Sequence, residues 1–452
     1  MQNISKYLVG VLVALSTTVL FGYDTLDSEG FSPDHTFEKA HQGVDIGSGW
    51  QFLGDLRAGW VQYDYQNPPP ADPNINHGHT DSHGFYVMPK LSILTPNYEG
   101  VRAKVTLAGA SGLGLNDPEY ETRNFVLNGS NPKSYLILQE AFLSYKYDEN
   151  RLVIGRQELT TPMIDADDWY MLANSFELAY YQNTMVEDSS IAFGYFHQMA
   201  GVWDSAADGT AFHSMSDTSY ISDFDKQRAG DSGVAFGSYN FKNEHHDVQV
   251  WDYYGFDLYN ILFLQYDYSN SVGGFSYDLG AQVIDFQEVG LLATSSSQSK
   301  IDYSLFSLRF DGSFSNGLDF ATGVSKYTDG KGQTETLGAW GGYPYFANGM
   351  IFHFFEAGSL QNATSYKAQI GYDLSKIGLS DSWIGYRHTY FDLDSRYSLS
   401  SQGQQQERML LNGIRLSYGA AGGAYFTGTY EHVDVTGEPN TFSLRLIGGY
   451  RF

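Results

Sequence analysis

The chain ends 441-TFSLRLIGGYRF-452. Phe442, Leu444, Leu446, Tyr450 and Phe452 share one parity, and Ser443, Arg445, Gly449 and Arg451 take the other. A period of two marks a strand with one oily face and one wet face. The pattern recurs far upstream. Val101, Ala103, Val105 and Leu107 alternate with Arg102, Lys104 and Thr106, and Phe306, Leu308 and Phe310 with Ser307, Arg309 and Asp311. Tyr366, Ala368 and Ile370 alternate with Lys367 and Gln369, Ile384 and Tyr386 with Gly385 and Arg387, and Ile414 and Leu416 with Gly413 and Arg415. Which of the two faces is the inside decides the fold.

About 18 such segments are expected between residues 50 and 452, joined alternately by short turns and long polar connections. The short ones include 95–97, 148–150, 187–189 and 269–273. The long ones are roughly 66–84, 110–135, 159–175, 201–231, 286–302, 328–364 and 392–407, while the connection near 257 is short where a long one is due. That rhythm is an up-and-down meander, and each strand has about the 9–11 residues that a tilted strand needs to cross a bilayer. In a soluble barrel the cations would face out, and some 18 strands of apolar side chains would have to fill a lumen too wide to pack. With the faces reversed, lipid meets the oily side, water meets the cations, and closure leaves no backbone edge unpaired. The expected fold is therefore all-β, a transmembrane antiparallel barrel. After residue 25 no run of 18 apolar residues suggests a membrane helix.

Residues 1–22, with Lys6 as the sole charge before the mostly apolar 7–21, read as a secretory signal peptide, leaving 23–49 as a periplasmic segment and 50–452 as the barrel. There is no cysteine, so an exported chain of this size must be stable without disulfides. The net charge of -26 argues against a nucleic-acid partner.

Residues 151–177 read RLVIGRQELTTPMIDADDWYMLANSFE. Gly155, Arg156, Gln157, Thr161, Pro162, Asp167, Asp168, Asn174, Phe176 and Glu177 match a run found in the OprD family of outer-membrane porins, which the chain resembles. Tyr170, Ala173 and Leu178 depart from it, standing where that family usually has arginine, proline and glycine. The resemblance implies an 18-stranded channel of the Gram-negative outer membrane, monomeric or trimeric, without cofactor or catalysis. Small polar solutes, often carboxylate-bearing, would diffuse passively through it. It also implies that Phe452 is the terminal aromatic read by the barrel-assembly machinery, and that outer-membrane lipids surround the wall.

The residues point to a candidate constriction. The third long connection carries Asp165, Asp167 and Asp168, with Glu177 just beyond. Arg102, Lys104, Lys146, Arg309, Lys367, Arg387, Arg415, Arg445 and Arg451 lie on the polar parity of the strands. An acidic loop opposite a basic wall would set a transverse field that aligns dipolar solutes. The plainer reading of each residue is a solvated turn acid or general lumen polarity. The seventh connection (328–364), rich in glycine and aromatics, is a second candidate for folding inward.

Other constellations carry less. His77, His79 and His83 beside Asp81 sit in an irregular loop, and no D-x-D-x-D-G spacing marks a calcium site, so no metal is expected. An outer-membrane enzyme is the alternative class, but no G-x-S-x-G nucleophile context occurs. A structural or adhesive barrel without an open pore is the other alternative. A receptor with a plug domain would need far more than residues 23–49.

Overall fold

The computed structural model describes residues 44–66, 81–117, 134–166, 173–201, 211–216, 229–294, 301–332, 340–350, 357–379, 381–400, 402–420 and 423–452. The expected signal peptide, most of the segment before residue 50, Asp167, Asp168, His77 and His79 lie outside the described residues.

A ring of 18 strands runs in chain order. Its first half comprises β2 (Trp50–Tyr65), β3 (Ser82–Leu94), β4 (Val101–Ala110), β5 (Tyr135–Tyr147), β6 (Asn150–Gln157), β7 (Ser175–Asn183), β8 (Ser189–Ala200), β10 (Val234–Lys242) and β11 (His246–Gly255). The second half comprises β12 (Tyr259–Val272), β13 (Phe275–Glu288), β14 (Ile301–Phe314), β15 (Leu318–Tyr327), β17 (Thr364–Asp373), β18 (Ser382–Asp392), β19 (Arg408–Gly419), β20 (Ala424–Val435) and β21 (Thr441–Arg451). Three short strands, β1 (Val44–Gly47), β9 (His213–Ser214) and β16 (Lys331–Gly332), extend its margins.

The ring closes where β2 pairs antiparallel with β21, from Asp55↔Arg451 to Tyr65↔Thr441. Every ring strand thus has two neighbours and no backbone edge is left open. Short turns gather at one end of the barrel. Between β12 and β13 the turn is Gly273–Gly274, with φ of 58° and 82°, the left-handed pair that a two-residue hairpin demands. The strand expected from residue 98 begins instead at Val101, because Glu99 and Gly100 (φ 50° and 90°) complete the preceding turn.

The two faces separate cleanly. Leu107, Leu152, Phe306, Leu308 and Ile370 are each about half exposed or more, while Thr106, Val153, Ser307, Arg309 and Gln369 beside them are buried. An apolar surface wrapped around the whole outside is a face for lipid. On β21 the burial alternates in the same sense, with Ser443 and Arg445 buried and Tyr450 exposed.

The inside is not uniformly polar. Toward the long-loop end of β7–β15, the inward parity carries Phe176, Phe196, Trp251, Tyr253, Phe286 and Tyr303, all buried. Tyr303 and Leu305 share the face of Ser307 and Arg309 on one strand. The wall is dry near one rim and charged deeper in. The dry part is a core, and what packs against it is the inward-folded loops.

Candidate functional site

Loop 3 (158–174) leaves the wall on a charged base. Lys90 on β3 binds both carboxylate oxygens of Glu158, the first residue of the loop. Beside it, Lys104 pairs at 2.7 Å with Glu140 on β5, whose carboxylate also accepts from the Thr106 hydroxyl at 2.6 Å. Glu140 is fully buried, and this pairing is what makes a buried carboxylate tolerable.

From that base the loop runs into the lumen. Ile164 bridges Trp340 and Gly341 of loop 7 (328–363), and the Asp165 N–H donates to the Trp340 carbonyl at 3.0 Å. The Trp340 indole N–H donates to the Met215 carbonyl of loop 4 (201–233) at 3.0 Å, and its ring lies 5.2 Å from that of Tyr259 on the wall. Loops 3, 4 and 7 are therefore knitted together around one buried tryptophan. A side chain at Gly342 would strike the Pro162 carbonyl, so the two loop backbones touch.

Residues 340–350 are buried throughout and continue along the wall. The Pro344 carbonyl accepts from Gln282 on β13 at 2.7 Å. The Phe346 ring stacks on the Arg309 guanidinium at 4.7 Å. Farther along, the carbonyls of Asn348, Gly349 and Met350 accept from Arg387, Thr389 and Arg415, and the Met350 N–H donates to Glu431. The described part of loop 7 thus lines the inner wall from β13 to β20.

The nine wall cations all sit on the inward parity. Their surroundings differ. Arg309 pairs with Asp267 at 2.7 Å and with Asp311 at 3.6 Å. Arg387 and Arg415 are turned to loop 7, and Arg451 pairs with Asp55 at 3.1 Å. Lys104, Lys367 and Arg445 are buried, whereas Arg102 is half-buried and Lys146 exposed near the short-turn end.

The acids are not brought together. Asp165 accepts from the Thr160 hydroxyl at 2.7 Å, and Asp167 and Asp168 lie outside the described residues. Glu177, expected just beyond the loop, falls inside β7. It shares the parity of Ala179 and Tyr181, opposite to buried Phe176 and Leu178, and so faces outward. There it pairs at 2.7 Å with Arg156, whose guanidinium lies 4.2 Å from the Phe212 ring.

Arg387 and Arg415 were read as wall residues, but the others that position loop 7 escaped the reading of the sequence. They are Gln282, Thr389 and Glu431, with Gly323 and Gly413 beneath. A Cβ at Gly323 would come within 3.0 Å of the Phe346 carbonyl, and one at Gly413 within 2.8 Å of the Met350 sulfur. Glycine on the inward parity of an otherwise bulky strand is the signal that another backbone approaches. Both glycines carry it.

These features define a class, a membrane-spanning barrel whose lumen is crossed by its own loops. The chain matches no protein-family model and no curated protein sequence. Its fold is that of OccK8 (OprE) from Pseudomonas aeruginosa, with a TM-score of 0.70 at 16% identity, covering 89% of this chain and 98% of that one. It is also similar in architecture to a BenF-like porin from Pseudomonas fluorescens Pf-5, with a TM-score of 0.68, 12% identity and coverage of 89% and 98%. OpdK from Pseudomonas aeruginosa, solved with vanillate, gives 0.66, 13% identity and coverage of 89% and 98%.

Proposed function

We propose that the chain is an outer-membrane porin through which small polar solutes, carboxylate-bearing ones among them, diffuse down their gradients. The observation that carries this reading is the combination of a closed, lipid-facing ring with cations on the inward parity of nine positions and loops folded into the lumen. A purely structural barrel has no use for loops held across its interior by wall arginines. Fold likeness to a protein described as a porin, and to one solved with the carboxylate vanillate, supports the same reading.

The long-loop end is the outer mouth, and both ends of the ring lie at the periplasmic end with the short turns. Arg102, Lys146, Arg415 and Arg451, the wall cations that retain exposure, guide the carboxylate along the wall. Asp165 adds an acid to this path from loop 3. Planar-bilayer recording tests the channel: discrete ohmic openings are expected, and their absence overturns the reading. Liposome swelling tests the selectivity, since equal rates for matched anions, cations and neutral solutes would remove the role given to the wall.

A further inference from the structure

One stretch of the lipid-facing surface is not oily. On β18 the outward parity carries Tyr386, His388, Tyr390 and Asp392, and on β19 it carries Arg408, Leu410 and Asn412. His388 stands directly opposite Asn412, and Asp392 opposite Arg408. His388 and Asn412 are each four residues in from the long-loop end of their strand, which on a tilted strand is about 10 Å down into the membrane. On β12, β13 and β14 the outward residues at like distance from the strand ends are Leu264, Val283 and Phe306.

The hydrogen bonds fix what this patch offers. Asn412 Oδ1 accepts from the Tyr386 hydroxyl at 2.8 Å and lies 2.9 Å from His388 Nδ1. A carbonyl oxygen only accepts, so Nδ1 carries the proton, and in the uncharged ring Nε2 is an acceptor. Neither Nε2 nor the Asn412 amide nitrogen has a hydrogen-bond partner among the described residues, and hydrocarbon supplies none. β18 thus presents two acceptors, His388 Nε2 and the Asp392 carboxylate, and β19 two donors, the Asn412 amide and the Arg408 guanidinium. Arg408 also lies 3.5 Å from Asp434 on β20, with its side chain 53% exposed and so open to a further partner.

We propose that the outer face of β18 and β19 is a contact with a second copy of this chain, about a two-fold axis along the membrane normal. Such an axis sets β18 of one copy against β19 of the other, acceptors against donors. Asn412 then donates to His388 of the second copy and Arg408 to its Asp392, each bond being made twice. Polar side chains stranded in lipid are satisfied by bonding across a contact of this kind. The pairing goes beyond the channel reading and is independent of what the lumen passes.

The chain has no cysteine, so single cysteines report the contact. Leu410 lies between Arg408 and Asn412 on the outward parity, whereas Phe193 faces lipid from β8, on the opposite side of the ring. In proteoliposomes a short bismaleimide should join Leu410→Cys into a covalent dimer in at least fivefold higher yield than Phe193→Cys. Adding Asn412→Leu, an apolar side chain suited to lipid, should lower that yield at least threefold. Asp392→Arg should lower it too, and Asp392→Arg/Arg408→Asp should restore it, because the pairs re-form with their signs exchanged. That recovery is a readout which misfolding cannot produce. Equal yields from the two cysteines, an Asn412→Leu yield like its parent's, or a double reversal that stays low overturns the contact.

Discussion

Arg309 on β14 reaches Asp267 on β12 by passing over β13, and Gly280 is the residue it passes over. The guanidinium and carboxylate meet at 2.7 Å, and a Cβ at Gly280 would lie 2.6 Å from both side chains. Both ionised groups are buried, and Asp311 adds a second buried carboxylate. Arg309→Gln strands two acids without their cation, and breaking such a pair typically costs about 3–5 kcal/mol. Urea unfolding in detergent micelles should show that loss, and the Asp267→Asn/Arg309→Gln double variant should recover part of it. A midpoint unchanged in Arg309→Gln would show the pair to be idle. Gly280→Val should destabilise through a clash rather than a lost charge, so Asp267→Asn should not rescue it.

Lys90 and Lys104 share the base of loop 3 with Glu158 and Glu140. Lys90→Met leaves the buried Glu140 and the half-buried Glu158 beside it with a single lysine, and repulsion then acts on Glu158, the first residue of the loop. Loop 3 should detach at this end. Single-channel records of Lys90→Met are expected to show a conductance raised by tens of per cent with more frequent flicker. Records indistinguishable from wild type would mean that the contacts around Trp340 alone hold the loop.

How far the sequence revealed this molecule depends on which residue is asked. Parity alone identified the outside of β21, because Leu444 and Leu446 against Arg445 admit only one arrangement in a barrel too wide to fill. The same rule applied to β14 missed the dry rim. Tyr303 and Leu305 share the face of Arg309, and only the loop that covers them makes an apolar inward position stable. Glu177, although placed just beyond the loop, was grouped with the loop's acids as lining the constriction. The strand starts at Ser175, and one residue of register turns a side chain to the opposite face. Glu431 was invisible for another reason: one of its partners is the backbone N–H of Met350, and a main-chain donor leaves no mark in the sequence.

Loop 8 (393–407) offers a test by pH. The Arg396 guanidinium first, and then the Asn362 amide at 2.8 Å, hold the Asp394 carboxyl well below the usual carboxylate range. Asn362 in turn accepts from the Lys326 ammonium at 2.6 Å through its carbonyl, tying loop 8 to loop 7 and to β15. A depressed carboxylate contributes its full stabilisation above its unfolded value, about 3.9, and loses it as pH falls through the folded one. The tie should therefore persist from neutrality to about pH 4 and fail only in stronger acid. Hydrogen exchange at Tyr397 and Ser398, whose N–H groups donate to the Asp394 carbonyl, should report it. Asp394→Asn should raise those rates several-fold already at pH 6, and equal rates there would dissociate the charge from the tie.

The last residue closes the ring as well as ending the chain. Phe452 exchanges both backbone hydrogen bonds with Gly54, at 2.9 and 3.0 Å, and its ring occupies the space where a Gly54 side chain would stand. Phe52 and Tyr450 flank it at 5.8 and 6.2 Å between ring centroids. Losing this half-buried ring should cost about 1–2 kcal/mol, less than the full burial of a phenylalanine. Gly54→Leu removes the ring's seat but leaves the terminal aromatic in the sequence, whereas Phe452→Ala removes the aromatic itself. If seating is what matters, both variants should refold poorly into detergent without any assembly machinery, as read by the yield of the compact form on gels. If Phe452 acts only as a signal for that machinery, both should refold like wild type in detergent, and Phe452→Ala alone should fail to assemble in cells.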